Sequence, residues 1–224
     1  MTSRDILTRE PLAFAFLSSA QRPRKPRTRG VTEIRGPYYS VIGPQATDRY
    51  IAEAARLGFD ILEISAGFIT IPTDDILRLV ERVQAAGMKS KPEVGIQFGA
   101  GGATTPAELE QEGTREVGFA IDLARRCLDA GAYMIMIESE GITEEVTSWR
   151  TDVVATIARE LGLEKVMFEA ADPEVFGWYV KNYGPEVNLF VDHSQIVQLE
   201  CLRRGIWGTK SLWGRVVTYP GDQR

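Results

Sequence analysis

Histidine is almost missing from this chain: His193 is the only one in 224 residues. Multi-histidine zinc sites and repeated histidine relays are therefore excluded, and His193 itself reads as a surface residue in the first turn of a helix. Cysteine is scarce as well. Cys127 and Cys201 are isolated thiols in helix-like segments without metal-ligand spacing, so they read as reduced core residues of a cytoplasmic protein. No apolar run approaches the roughly 20 residues of a membrane helix, and no signal peptide opens the chain. Positive charge is in deficit, with 26 Lys and Arg against 31 Asp and Glu. Neither a membrane nor nucleic acid is an expected partner.

What is present describes a globular protein with a full core, 44% hydrophobic and 25% charged. One stretch departs from the acidic balance: QRPRKPRTRG at residues 21–30. Its prolines forbid a helix, and it reads as an extended surface arm. The expected organisation is an N-terminal basic arm over residues 1–30, one α/β domain over 31–214 and a tail over 215–224.

From Thr47 onward short apolar runs alternate with helical patterns. The runs lie at residues 60–65 (DILEIS), 89–96, 133–139 (YMIMIES), 165–170 (KVMFEA) and 187–192 (VNLFVD). They are nearly continuously apolar, as parallel strands covered on both faces are. Ile76, Leu79, Val80 and Val83 share one helix face, and Gly87 follows as a stop. Thr105-Pro106-Ala107-Glu108 and Asp172-Pro173 open helices, Gly184 and Gly205 close them, and Asp192 has cap spacing. Strands alternating with helices mean βα units on a parallel sheet, either a barrel or an open doubly wound sheet. VTEIR near the start brings the expected strand count to six, whereas a closed (βα)8 barrel needs eight.

Each of the five later strands carries an acidic residue near its end: Glu63, Glu93, Glu138, Glu169 and Asp192. A carboxylate in an apolar strand requires a metal, a cation or hydrogen bonds. In parallel α/β folds the C-terminal strand ends line the ligand crevice. Asp192 is also explained as a helix cap. Several oxygens at one mouth suit Mg²⁺, which could hold a substrate carboxylate and a developing enolate. The stretch KPEVGIQFGAGG, from Lys91, carries Glu93 and then dissolves into glycines. Gly99 to Gly102 could cradle an anion at the following helix or form a lid. Arg203 and Arg204 complement a helix dipole or clamp a phosphate.

Taken together, GFDILEIS, KPEVG, DAGAYMIMIESEG, KVMFEA, VNLFVD, LECLRRGIWG and RGVTEIRG resemble the phosphosulfolactate synthase family, in order and spacing. The resemblance implies a TIM (βα)8-type barrel that adds sulfite to phosphoenolpyruvate with Mg²⁺, for coenzyme M biosynthesis. Heat-stress-associated plant proteins and bacterial relatives share the pattern, which keeps open a barrel acting by binding or through partners. By position, Glu93, Glu138 and Glu169 are the implied catalytic residues, with Glu138 and Glu169 also holding the metal. Arg35, Asn188, Arg203, Arg204 and Gly205 are the implied contacts to a small phosphorylated carboxylic acid, in an expected homo-oligomer. Two departures stand out. Archaeal members follow Glu-Val-Gly with lysines, where this chain has Ile96-Gln97. Between about residues 36 and 47, this chain also lacks about two βα units, roughly 50–60 residues at typical unit size.

Overall fold

The computed structural model describes residues 13–14, 31–35, 44–65, 71–96 and 117–206. They divide between two compact units: residues 16–169 form the larger, and residues 1–15 with 170–224 the smaller. The basic stretch at 21–30, Gln97, the glycines at 99–102, the cap at 105–108, the tail at 215–224 and residues 36–43 of the expected gap lie outside the described residues.

In the larger unit the chain alternates as expected. Strands β2 (Val31–Arg35), β3 (Ile61–Ser65), β4 (Lys89–Val94), β5 (Ile135–Ile137) and β6 (Val166–Glu169) are separated, from β2 onward, by helices α1 (Pro44–Leu57), α2 (Thr73–Ala85), α3 (Gly118–Asp129) and α4 (Thr151–Leu161). Each strand pairs parallel with the next in sequence. Parallel neighbours need crossover helices, which explains why the helices alternate so strictly with the strands. Helix α2 buries Ile76, Leu79, Val80 and Val83, the face its spacing predicts. After it, Gly87 takes a positive φ of 83°, which glycine reaches without the steric cost of a Cβ. Helix α1 begins at Pro44, three residues ahead of Thr47, where the alternation was expected to begin, because a proline is tolerated in a first turn that needs no N–H donor.

The smaller unit holds β1 (Ala13–Phe14), α5 (Pro173–Tyr183), β7 (Leu189–Phe190), a 3-10 turn (His193–Gln195) and α6 (Ile196–Arg203). β1 pairs parallel with β7, Ala13 opposite Leu189. This two-residue strand inside the expected basic arm brings the strands among the described residues to seven, against the six expected. Two residues are too few for an alternation pattern, so the sequence carries no readable signal for it. Asp172 and Pro173 open α5, and Gly184 closes it at φ 90°. The Asp192 carboxylate accepts the Ser194 N–H, confirming the cap, and His193 is exposed.

Cys127 is buried in α3, whereas Cys201 is only half-buried on α6, so the expectation of two core thiols holds for one. Among the described residues no helix is long and apolar enough to cross a membrane.

Candidate active site

The strand register gathers the acidic residues of the larger unit. Successive strand residues point to opposite faces, so Lys91 and Glu93 share a face of the sheet, as do Met136 and Glu138, and Met167 and Glu169. Glu63 stands opposite Lys91, Glu93 opposite Met136, and Met136 opposite Met167. All of these therefore lie on one face, and the carboxylates of β4, β5 and β6 arrive at its C-terminal end. Ile135, Ile137, Val166 and Phe168 occupy the opposite face and are buried. Glu138 follows β5 directly, and its N–H still donates to Val94 O at 3.1 Å, which continues the ladder to the site.

Ser139 ties two of the carboxylates together. Its N–H donates to Glu138 Oε1 at 2.9 Å and reaches Glu169 Oε2 at 3.5 Å. Its hydroxyl lies 3.2 Å from Glu169 Oε2 and 3.5 Å from Glu138 Oε1, and Glu140 N–H donates to Glu138 Oε1 at 3.3 Å. The carbonyl of Ser139 accepts the N–H groups of Ile142, Thr143 and Glu144 at 2.9, 2.9 and 3.1 Å, so the turn after β5 is built on the same residue.

Burial and mutual repulsion divide the protons unequally. Burial pushes the Glu169 carboxyl up to about 9, and the charge of Glu138 adds to this. Glu93 is raised well above the carboxylate range, first by burial and then by its hydrogen bond to Glu138 and the charges of Glu138, Glu63 and Glu169. Burial also acts upward on Glu138, but hydrogen bonds from Glu93, Glu169, and the Glu140 and Ser139 N–H groups outweigh it and hold Glu138 below its ordinary value. Without a bound cation, Glu138 is thus the carboxyl that ionises most readily, between two neighbours that hold their protons to higher pH.

The fit of a cation follows from this donor set. Among the described residues no group of three or more His, Cys, Asp or Glu is arranged to hold a metal ion. Mg²⁺ asks for less, taking one or two carboxylates and keeping its waters. Glu138 and Glu169, bridged by Ser139, offer that all-oxygen pair.

Two further acidic residues play other parts. Glu63 lies mid-strand, paired with Lys91 at 2.5 Å rather than at the mouth. Asp192 is an exposed cap. In the smaller unit, Arg203 is 2% exposed and donates Nη2 to Val187 O at 2.7 Å and Nη1 to Glu200 at 3.2 Å. Its Nε has no hydrogen-bond partner. Asn188 is buried beside that carbonyl, Arg204 is exposed and 3.5 Å from Glu200, and Gly205 has a φ of 67°. Arg35 ends β2 opposite Ser65. Sequence reasoning overlooked Lys91 and Ser139. For Lys91 a signal existed: a lysine two residues before Glu93 in a buried strand shares the face of Glu93.

Residues 38–209 match the family model described as (2R)-phospho-3-sulfolactate synthase (ComA). The chain is similar to the Arabidopsis thaliana protein HEAT-STRESS-ASSOCIATED 32, 31% identical over 259 aligned residues that include 84% of this chain and 91% of the plant protein. That alignment is longer than this whole chain, so the plant protein carries residues without a counterpart here. A phosphosulfolactate synthase of Methanothermobacter thermautotrophicus is 30% identical over 72% of this chain, which spans only 61% of the archaeal protein's length. Among solved structures, the carboxyl transferase domain of Rhizobium etli pyruvate carboxylase with 3-bromopyruvate superposes with a TM-score of 0.50 at 12% identity, over 72% of this chain and 26% of that one. This likeness concerns the fold alone. The fold class is α/β, of the TIM (βα)8 type, and the chain belongs to the (2R)-phospho-3-sulfolactate synthase (ComA) family.

Proposed function

We propose that the chain is a Mg²⁺-dependent, phosphosulfolactate synthase-like lyase, adding sulfite or a related nucleophile to phosphoenolpyruvate or a similar phosphorylated small acid. The observation that carries this reading is the meeting of Glu93, Glu138 and Glu169 at the ends of three adjacent parallel strands. The family and the relatives' names support it.

In the reaction, the nucleophile bonds to the methylene carbon and the double-bond pair moves toward the carboxylate. A proton then bonds to the neighbouring carbon. Mg²⁺, when bound, supplies a Lewis acid for the carboxylate and the enolate oxygen, and Glu138 and Glu169 are the residues to hold it. Ser139 fixes the angle between those two side chains. Glu93, on the same face, is the residue to exchange the proton with the reacting carbon. By the family resemblance, Arg35 in the larger unit and, separately, Asn188, Arg203, Arg204 and Gly205 in the smaller are each proposed as anion contacts, Arg203 through the Nε that has no partner.

Phosphorus NMR of the purified chain with phosphoenolpyruvate, sulfite and Mg²⁺ tests the proposal. The expected result is a new Mg²⁺-dependent phosphate ester, lost in Glu138→Gln and Glu169→Gln while both variants keep the fold. Full turnover in both variants would refute the assignment. A second reading has its own support in the 31% identity to a heat-stress-associated protein: a barrel that acts by binding rather than by this catalysis. Unchanged phosphoenolpyruvate, with no Mg²⁺-dependent binding of it, would favour that reading.

A further inference from the structure

Beneath the three carboxylates lies a cation. Lys91 is 1% exposed and, among the described residues, is the only buried basic side chain of the larger unit. Its Nζ is 2.5 Å from Glu63 Oε2 on β3 and 3.8 Å from Met167 Sδ on β6. Strand β5 stands between β4 and β6. The ammonium therefore meets side chains from both β3 and β6, on the face that carries Glu138 and Glu169. Lys91 is two residues before Glu93, and Met167 two before Glu169, so Nζ sits one pleat below the acidic layer.

Between the pair and β6 this face carries Met136 and Met167, and Glu33 stands opposite Glu63 on β2. Replacing such a buried pair with apolar residues is often neutral or stabilising. Glu63 fixes the ammonium on one side, and Met167 Sδ lies against it on another.

We propose that Lys91 is the site's fixed cation for negative charge developing on the reacting acid. This deepens the lyase reading above and rests on it. As the nucleophile–carbon bond forms, the carbon–carbon π pair moves onto the carboxylate, which becomes an enediolate. Lys91 stabilises that added charge electrostatically, and no proton need leave its nitrogen. Glu63 is a positioning residue: it holds the ammonium by its charge.

The test compares affinity for an enolate mimic with affinity for the substrate. Wild type and the double variant Lys91→Met with Glu63→Gln, which leaves neither charge unpaired, are titrated calorimetrically in Mg²⁺ with oxalate, a planar dianion, and with phosphoenolpyruvate. Wild type is expected to bind both. The double variant is expected to lose oxalate affinity by about tenfold or more, with a much smaller loss for phosphoenolpyruvate. Equal losses, or none, would overturn the role of Lys91 while leaving the lyase reading intact. Absence of Mg²⁺-dependent binding of either ligand to wild type would overturn the lyase reading, and Lys91's role with it. A measurement on wild type guards against a variant that does not fold. The Lys91 ammonium nitrogen resonance should move on oxalate binding, and a resonance that stays in place would overturn the proposal.

Discussion

At the scale of single residues, the acidic strand ends were legible because burying charge is expensive, and a carboxylate in an apolar run announces that something pays for it. Lys91 was only half legible: its two-residue spacing from Glu93 shows the shared face, but nothing local shows that β3 brings Glu63 opposite it. Register is a tertiary fact, and no local pattern encodes it. The proton arrangement yields a testable outcome. In chelator-treated protein Glu169 titrates at about 9, far above the ~4.3 of an exposed glutamate. The folded state holds this proton more tightly than the unfolded chain does. Its contribution to stability is thus complete below the unfolded value and is lost as pH rises toward 9. The urea midpoint is expected to fall between about pH 5 and about pH 9, and Glu169→Gln to flatten that fall. A midpoint independent of pH in wild type would contradict the assigned environment. The thiols give a second outcome. Burial pushes Cys127 up to about 12 against the opposing charge of Arg126, and a thiol that stays protonated does not alkylate. Mass spectrometry after iodoacetamide treatment at about pH 8 should find Cys127 unlabelled in native protein and labelled in urea.

Among the elements, helix faces and their ends were the most legible features. The apolar spacing of α2 names its buried side, and the glycines after α2 and α5 take the left-handed conformations that end them. Strand ends were less so, since β5 and β7 are three and two residues long inside longer apolar runs. An apolar run records burial, whereas a strand needs hydrogen-bonded neighbours as well. One connection shows how closely the helices are fitted. Gly131, at φ 95°, follows α3, and a Cβ there would come within 2.7 Å of the Gln84 side-chain oxygen. That same Gln84 donates to Ala130 O, tying α2 to the end of α3. Gly131→Ala is expected to cost about 1–2 kcal/mol through the left-handed backbone alone, measured as a lower midpoint in urea. By comparison, Leu79→Ala in the core of α2, where the side chain is 1% exposed, is expected to cost about 2–5 kcal/mol.

For the whole molecule, the alternation of strand and helix was enough to name a parallel α/β fold, because only crossovers can join parallel neighbours. The choice between a barrel and an open sheet was not available from periodicity and came through the family. The expected gap of two βα units near residues 36–47 falls largely outside the described residues, and the plant relative's longer aligned span shows only that it carries residues without a counterpart here. A bound ligand acts on the molecule as a whole. With Mg²⁺ and phosphoenolpyruvate at about 100 times their dissociation constant, stabilisation should reach about 2.7 kcal/mol, which for a chain of this size raises Tm by several degrees. Glu138→Gln and Glu169→Gln should abolish that rise, as read by thermal shift with and without a chelator.

The turn after β5 has a consequence for how this scaffold can change. Ser139 gives its amide and hydroxyl to the carboxylates and its carbonyl to Ile142, Thr143 and Glu144. Arg150 N–H then returns to Ile142 O at 2.8 Å, closing residues 143–149 into a collar clasped at its base. Such a collar can be rewritten at its rim while its clasp is untouched. New preferences for what enters the mouth could thus arise at residues 145–149 by drift or by engineering, whereas Glu144, whose charge acts on Glu169, belongs to the chemistry below.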